Sequence, residues 1–137
     1  MFRRTCFEQI GGYNPLPYGG ADWLAQIDAG LAGWDSLAFP EFPVLHYRPT
    51  SSAGGRLRGQ FQLGLMDGSF GAHPLFEALK CARRVGVKPL MIAAAVRFSG
   101  YSWWNLTGRK PLIQPEKVVF LRKSQLLKAR KFIPFLR

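Results

Sequence analysis

Gly19-Gly20-Ala21-Asp22-Trp23-Leu24-Ala25-Gln26-Ile27-Asp28-Ala29-Gly30-Leu31-Ala32-Gly33-Trp34 is the stretch from which the rest of the chain can be read. Between the glycine pair and Gly33 the pattern is helical. Leu24, Ile27 and Leu31 fall on one stripe, within roughly 60° at about 100° per residue. Asp22 lies about 160° from the centre of that stripe. It belongs to the first turn and is expected to face away from the core. Ala25, Ala29 and Gly33 are small enough for close packing on a flank, and Gly33 supplies a stop.

Upstream, residues 1–4 read as a short strand. Thr5 and Glu8 have the spacing of a capping box, with Thr5 as N-cap and Glu8 reaching back. The short helix so started should end at Gly11-Gly12, and Tyr13 to Gly20 is a Pro/Gly-rich loop. Downstream, residues 35–39 and 43–47 read as two short strands broken around Pro40 and Pro43. Thr50 to Gly55 is a loop of small residues. Helical patterns follow over 56–70, 74–85 (with Pro74 at a first-turn position), 89–106 and 115–131. The fold class expected from this order is α/β. Residues 1–55 form one region with a few short strands among helices, and residues 56–137 form a mainly helical, basic tail.

Composition narrows the function classes. With 137 residues the chain holds one domain with a real core, and 47% apolar against 20% charged residues excludes a mostly disordered chain. Cys6 and Cys81 share no motif spacing, which fits a reducing compartment. Asn105-Leu106-Thr107 matches a glycosylation sequon, but no secretory signal accompanies it, so it is read as chance. A chain whose first residues already form an element reads as a fragment, or as a start assigned inside a longer frame.

Charge is unevenly placed. Residues 1–70 carry five Lys/Arg against six Asp/Glu, whereas residues 71–137 carry fourteen against two, so the whole net charge of +11 comes from the second half. A polyanionic surface, nucleic acid or anionic lipid, is the partner such asymmetry points to.

Few side chains are placed for chemistry. Asp22 follows a glycine loop, stands at a helix N-terminus and is flanked by Trp23. The helix dipole keeps such a carboxylate ionised, and Gly19 and Gly20 let a substrate approach the backbone, which suits a general base. The plainer reading is that Asp22 only complements the dipole. His46, at a strand end, is of a type that ligates divalent metals, and the neighbouring Arg48 of a type that holds a phosphate. A lone histidine is more often structural, and His73, before Pro74, reads as a cap. Asp28, Asp35, Glu41 and Asp67 form no metal-site or paired-carboxylate spacing. No Walker loop, zinc pattern or Gly-x-Ser-x-Gly elbow occurs.

Phe2-Arg3-Arg4-x-x-Phe7-Glu8-x-Ile10-Gly11-Gly12-Tyr13 resembles the strand-helix-GGF segment in the middle of family 2 inverting glycosyltransferases. The order that follows is also similar: a loop, an acidic helix start, a helix ending Gly33-Trp34, and a strand ending in His46. The resemblance covers residues 1–50 well and residues 56–131 less specifically. It implies a partial GT-A-type domain, the acceptor side of the enzyme, followed by a membrane-proximal helical tail. It implies that Asp22 is the base that deprotonates the acceptor hydroxyl. In metal-dependent members the later histidine completes the Mn²⁺ or Mg²⁺ shell at the donor diphosphate, which corresponds to His46. Gly19, Gly20, Trp23 and Arg48 are the implied substrate contacts. Two departures stand out: Ala21 replaces the usual Glu, and Asp28 stands where Arg is common. The family's nucleotide-binding units and their Asp-x-Asp motif precede this region and have no counterpart here, so the chain alone is expected to turn over no nucleotide sugar. The setting implied is envelope or exopolysaccharide assembly.

Pro89 to Leu106 is apolar and aromatic. As a membrane span it would be marginal in length and would carry Arg97 near its middle at about 2.5–3.5 kcal/mol. Lying in the interface suits Tyr101, Trp103 and Trp104, with Lys80, Arg83, Arg84, Lys88, Arg109 and Lys110 flanking. An ordinary buried helix is the alternative. In the last helical stretch the basic residues do not gather on one face, though each is worth about 1 kcal/mol beside an anionic leaflet. A location on the cytoplasmic face of the cell membrane is therefore expected. A non-catalytic membrane-binding remnant is the rival, and a nucleic-acid-binding module, for which no recognition motif appears, is the lesser one.

Overall fold

The computed structural model describes residues 2–37, 41, 45, 55–84 and 91–132. Among them every regular element is a helix: α1 (Arg4–Gln9), α2 (Ala21–Leu31), α3 (Arg56–Ser69), α4 (Pro74–Arg84), α5 (Ile92–Leu106) and α6 (Pro115–Phe132). The expectation of an α/β fold with a partial GT-A-type domain is thereby overturned for this chain. Arg3 is extended, but among the described residues no strand pairs with it, and the backbone turns into α1 at Arg4. An isolated extended segment has nowhere to place its backbone hydrogen bonds along a ladder. Phe2 packs on the rings of Phe7 and Tyr13 instead. Residues 35–37 also join no ladder. Most of the other positions expected as strand, 38–39, 43–44 and 46–47, lie outside the described residues.

The expected capping box does not form. Arg3 is the N-cap of α1 and makes no side-chain cap bond, while Glu8 accepts from Arg4 Nε at 2.8 Å, one turn along the same helix. Both partners are exposed, and a pair at this spacing needs no distortion of the first turn.

Glycine stops the helices as expected. After α2, Gly33 has φ 84°; its N–H reaches the Gly30 carbonyl (3.1 Å) and the Trp34 N–H reaches that of Ala29 (2.9 Å). That two-bond closure satisfies carbonyls the helix would otherwise leave open. The same closure, built on Gly11 and on Gly71, ends α1 and α3. Leu24 and Ile27 are buried as the stripe requires, but Leu31, on the last turn, is 42% exposed. It lies past the end of the core that α2 covers.

One core joins the two halves of the chain. Leu24 and Ile27 of α2 meet Phe70, Ile113 and Val118 and Leu121 of α6, with Leu16, Trp23, Met66 and Phe120 around them. Phe70 is fully buried, and Trp23 stacks on it at 4.4 Å. Truncating such a side chain to Ala costs about 3–5 kcal/mol. Between α2 and α6 the Lys117 ammonium holds the Asp28 carboxylate at 2.6 Å. The Asp at position 28 is therefore a strut to the last helix.

The helices α3 and α5 pack backbone to backbone. A Cβ on Gly64 would strike the Arg97 carbonyl oxygen, and one on Gly100 the Phe61 carbonyl oxygen; one on Gly68 would lie 2.6 Å from the Trp104 Cβ. This contact encloses three charges, Asp67, Glu77 and Arg97, with a fourth, Lys80, part-exposed at their edge. Arg97, 5% exposed, donates from Nη2 to Asp67 Oδ2 and from Nε to Glu77 Oε1 at 3.1 Å. Lys80 donates to Asp67 Oδ1 at 3.0 Å and faces Glu77 Oε2 at 2.8 Å, the latter as an ion pair without a well-aligned hydrogen bond. Two anions and two cations balance, which is the condition for holding them out of water. Burial is the largest influence on Asp67 and lifts its pKa above the ordinary range, with Glu77 adding to the lift and Lys80 and Arg97 opposing it. For Arg97 burial opposes the charged form, yet Asp67 and Glu77 together outweigh it and raise its pKa. The Cys81 thiol, buried beside Glu77, is pushed up as well.

The buried role of Arg97, Tyr101 and Trp104 changes the reading of α5. Tyr101 donates its hydroxyl to the Ala72 carbonyl at 2.8 Å, and Trp104 is 3% exposed. Of the three aromatics expected at a membrane interface only Trp103 faces out. No described helix is long and apolar enough to cross a membrane.

Candidate functional site

Gly19 and Gly20 have φ of 82° and 88°, the left-handed region in which a side chain is strained. Gly20 has a second reason to be glycine, since a Cβ there would lie 2.9 Å from the Phe70 ring and 3.0 Å from Met66 Sδ. The loop is thus pressed onto the core, and α2 starts from a fixed point. Gly20 is the N-cap and offers no side-chain acceptor, so the first N–H groups of α2 are uncapped by any side chain.

Asp22 stands in that first turn, exposed, with no hydrogen bond or ion pair to any described residue. It lies at the rim of two hollows. The first, about 540 Å³, is a broad depression between Asp22 and the loop side chains Tyr13, Pro15 and Leu16. The second, about 330 Å³, is narrower; Gly19, Gly20, Asp22 and Trp23 form one side, and Tyr18, Gln62, Leu63 and Met66 complete it. The sequence-derived residues Asp22, Gly19, Gly20 and Trp23 are brought together here. Trp23 reaches the hollow while stacked on Phe70, so its indole is held in a fixed plane.

His46 and Arg48 lie outside the described residues. His73 precedes α4 and caps it: its Nδ1 accepts from the Leu75 N–H at 3.2 Å, and its own N–H donates to Gln125 Oε1 at 2.8 Å. Among the described residues no group of three or more His, Cys, Asp or Glu could hold a metal ion. The donor set for a divalent cation is therefore not met by the part of the chain described.

Four residues of the narrower hollow, Tyr18, Gln62, Leu63 and Met66, came from no sequence pattern. Gln62, Leu63 and Met66 belong to α3, 42 or more positions beyond Gly20. Tyr18 sits in the loop itself, where its hydroxyl accepts from Arg109 Nη1 at 3.2 Å and its ring meets Trp104 edge-on at 5.3 Å. Arg109 also lies over the Trp104 ring at 5.4 Å. The punctuation by Pro15, Pro17 and the Gly19-Gly20 pair marks a loop but not which ring it turns inward.

A third hollow, about 570 Å³, lies apart from Asp22 between α1, the flank of α2 and residues 33–37. Its carboxylate, Asp35, shares the lining with Arg3 and Cys6 and follows α2 rather than opening a helix, and Trp34 is tied to Gln9 by a 2.8 Å hydrogen bond. Around Asp22 the described residues bring together an open carboxylate at a helix start, an aromatic wall and a bounded hollow. No protein-family model, curated protein or solved structure matches the chain.

Proposed function

We propose that this chain supplies the acceptor side of an inverting sugar transfer, with Asp22 as the base. The observation that carries the reading is the Asp22 carboxylate itself, which is exposed, unpaired and at the rim of a hollow walled by Trp23. The likeness of residues 2–34 to family 2 glycosyltransferases adds to it, through residues rather than through the α/β fold. In such a displacement the acceptor hydroxyl oxygen forms a bond to the anomeric carbon as the bond to the nucleoside diphosphate breaks, and the hydroxyl proton passes to the base. An exposed carboxylate at the rim of the hollow is placed to take that proton. Gly19 and Gly20 leave room for the acceptor at the backbone. The metal expected at the donor diphosphate has no complete ligand set among the described residues, and no step is assigned to it.

The test joins this chain to a nucleotide-binding half that binds a nucleotide sugar. Asp22→Asn should lower kcat by about 10²–10⁴-fold, with the acceptor KM changed less than threefold. A variant that transfers sugar at the unaltered rate would remove Asp22 from the mechanism. The chain by itself should turn over no nucleotide sugar.

A peripheral position on an anionic, cytoplasmic membrane face is the second part of the proposal. On α5 the side opposite the buried one carries Ile92, Trp103 and Leu106, which are 57%, 57% and 85% exposed, and Arg109 and Lys110 follow it directly. An aromatic and aliphatic stripe beside cations suits a headgroup boundary. The chain should pellet with vesicles containing phosphatidylglycerol and not with pure phosphatidylcholine, and Trp103→Glu with Leu106→Glu should abolish pelleting. Pelleting unchanged by the double substitution would exclude α5 as the contact. A non-catalytic membrane role is the alternative, and binding to DNA or RNA without lipid would favour the nucleic-acid one.

A further inference from the structure

The hollow beside Asp22 is closed by α3, a helix that the sequence places in the basic tail. Gln62 is exposed there, and its carboxamide, two N–H donors and an acceptor oxygen, has no partner among the described residues. Tyr18 brings a hydroxyl whose oxygen already accepts from Arg109, so its proton is left to donate outward. Leu63 and Met66 supply apolar wall, and the Trp23 indole an aromatic one. At about 330 Å³ the space lies at the small end of ligand sites, on the scale of a single sugar ring rather than an oligosaccharide. Asp22 is the one charged side chain in its lining; Arg109, the cation closest in the chain of contacts, is engaged with Tyr18 and Trp104. Such a lining favours a neutral polyhydroxylated ring and repels a carboxylate-bearing one.

We propose that Gln62, together with the Tyr18 hydroxyl, is a specificity-determining contact that binds hydroxyl groups of one neutral sugar unit of the acceptor beside Asp22. This rests on the acceptor-side reading above and extends it to a residue of α3. A site built to hydrogen-bond a hydroxyl rejects an analogue lacking that hydroxyl far more strongly than an apolar pocket can. The helical tail is then part of the acceptor site, and the acceptor's identity is read partly from α3.

The experiment is a titration of the whole 137-residue chain, followed by two-dimensional NMR of its indole and side-chain amide signals. The probes are the methyl glycosides of glucose, galactose, mannose and N-acetylglucosamine, with methyl glucuronide as the acidic counterpart. At least one neutral glycoside should move both the Trp23 indole and the Gln62 carboxamide signals, with glucuronide causing no shift. Gln62→Leu should weaken that glycoside at least tenfold, and Tyr18→Phe several-fold, with unchanged circular dichroism. A glycoside that moves Trp23 equally well in Gln62→Leu would overturn the inference and leave the acceptor-side reading standing. Glucuronide binding as tightly as the neutral glycosides would also overturn it. If no glycoside moves Trp23 at all, both fall together.

Discussion

Asp67 and Asp22 are the same residue type on neighbouring helices, and the protein treats them in opposite ways. Asp67 is 1% exposed and held by Arg97 and Lys80, with Glu77 as a second anion in the same cluster. Asp22 is exposed at the start of α2 and held by nothing described. The first is fixed because a buried charge without partners is too costly to keep. The second is left free at a place where a carboxylate gains only from the helix dipole. A charge whose every bond is internal organises the fold; a charge with its bonds unspent is available to something outside.

The contrast breaks hardest at Arg97. Replacing it by Met leaves Asp67 and Glu77 to share Lys80 alone, and should cost about 3–5 kcal/mol in urea unfolding, a large part of the stability of an ordinary domain. A variant within 1 kcal/mol of the parent, on the order of a surface change, would mean that the cluster contributes nothing net.

The pH response sharpens it. A carboxyl whose folded pKa is raised binds its proton more readily in the folded state than in the unfolded one. Its contribution to stability is complete below the unfolded value of 3.8 and is lost as pH rises through the raised folded value. Asp67 should therefore give the parent a stability that increases on acidification towards pH 4, by up to about 1.4 kcal/mol per pH unit within that window. Asp67→Asn should remove this component of the slope, judged by urea midpoints taken at several pH values. Parallel slopes for the two proteins would show that Asp67 titrates alike folded and unfolded.

The smallest effect belongs to the open carboxylate. Asp22→Asn should shift stability by no more than about 1 kcal/mol, the worth of a dipole contact, while removing the proposed transfer activity. A loss of stability comparable with that of the Arg97 variant would mean that Asp22 has a structural bond and is not held in reserve.

Much of the helix layout was legible because it is punctuated locally. Pro74 opens α4, Gly11 and Gly33 close their helices, and the stripe of Leu24 and Ile27 reports which side of α2 is buried. The strands were misread because a strand is not a local property. Residues 1–4 and 35–37 have suitable composition, but a ladder needs a second segment, and none of the described residues provides it. The cluster around Arg97 was illegible for the same reason: its members lie on three helices, and Arg97 in an apolar run is noticed as an obstacle before Asp67, 30 positions earlier, is known to face it. At the site, the glycine pair and Asp22 were readable as neighbours in sequence. Gln62 was not, since only the packing of Phe70 beneath Gly20 brings α3 to that rim.

The bond between Lys117 and Asp28 joins residues 89 positions apart, and the core between them is completed by Val118 and Leu121. During synthesis α2 therefore leaves the ribosome long before the helix that covers it. Leu24 and Ile27 stay wet until α6 emerges, so the piece carrying Asp22 settles into its shape only after a much later stretch has been made.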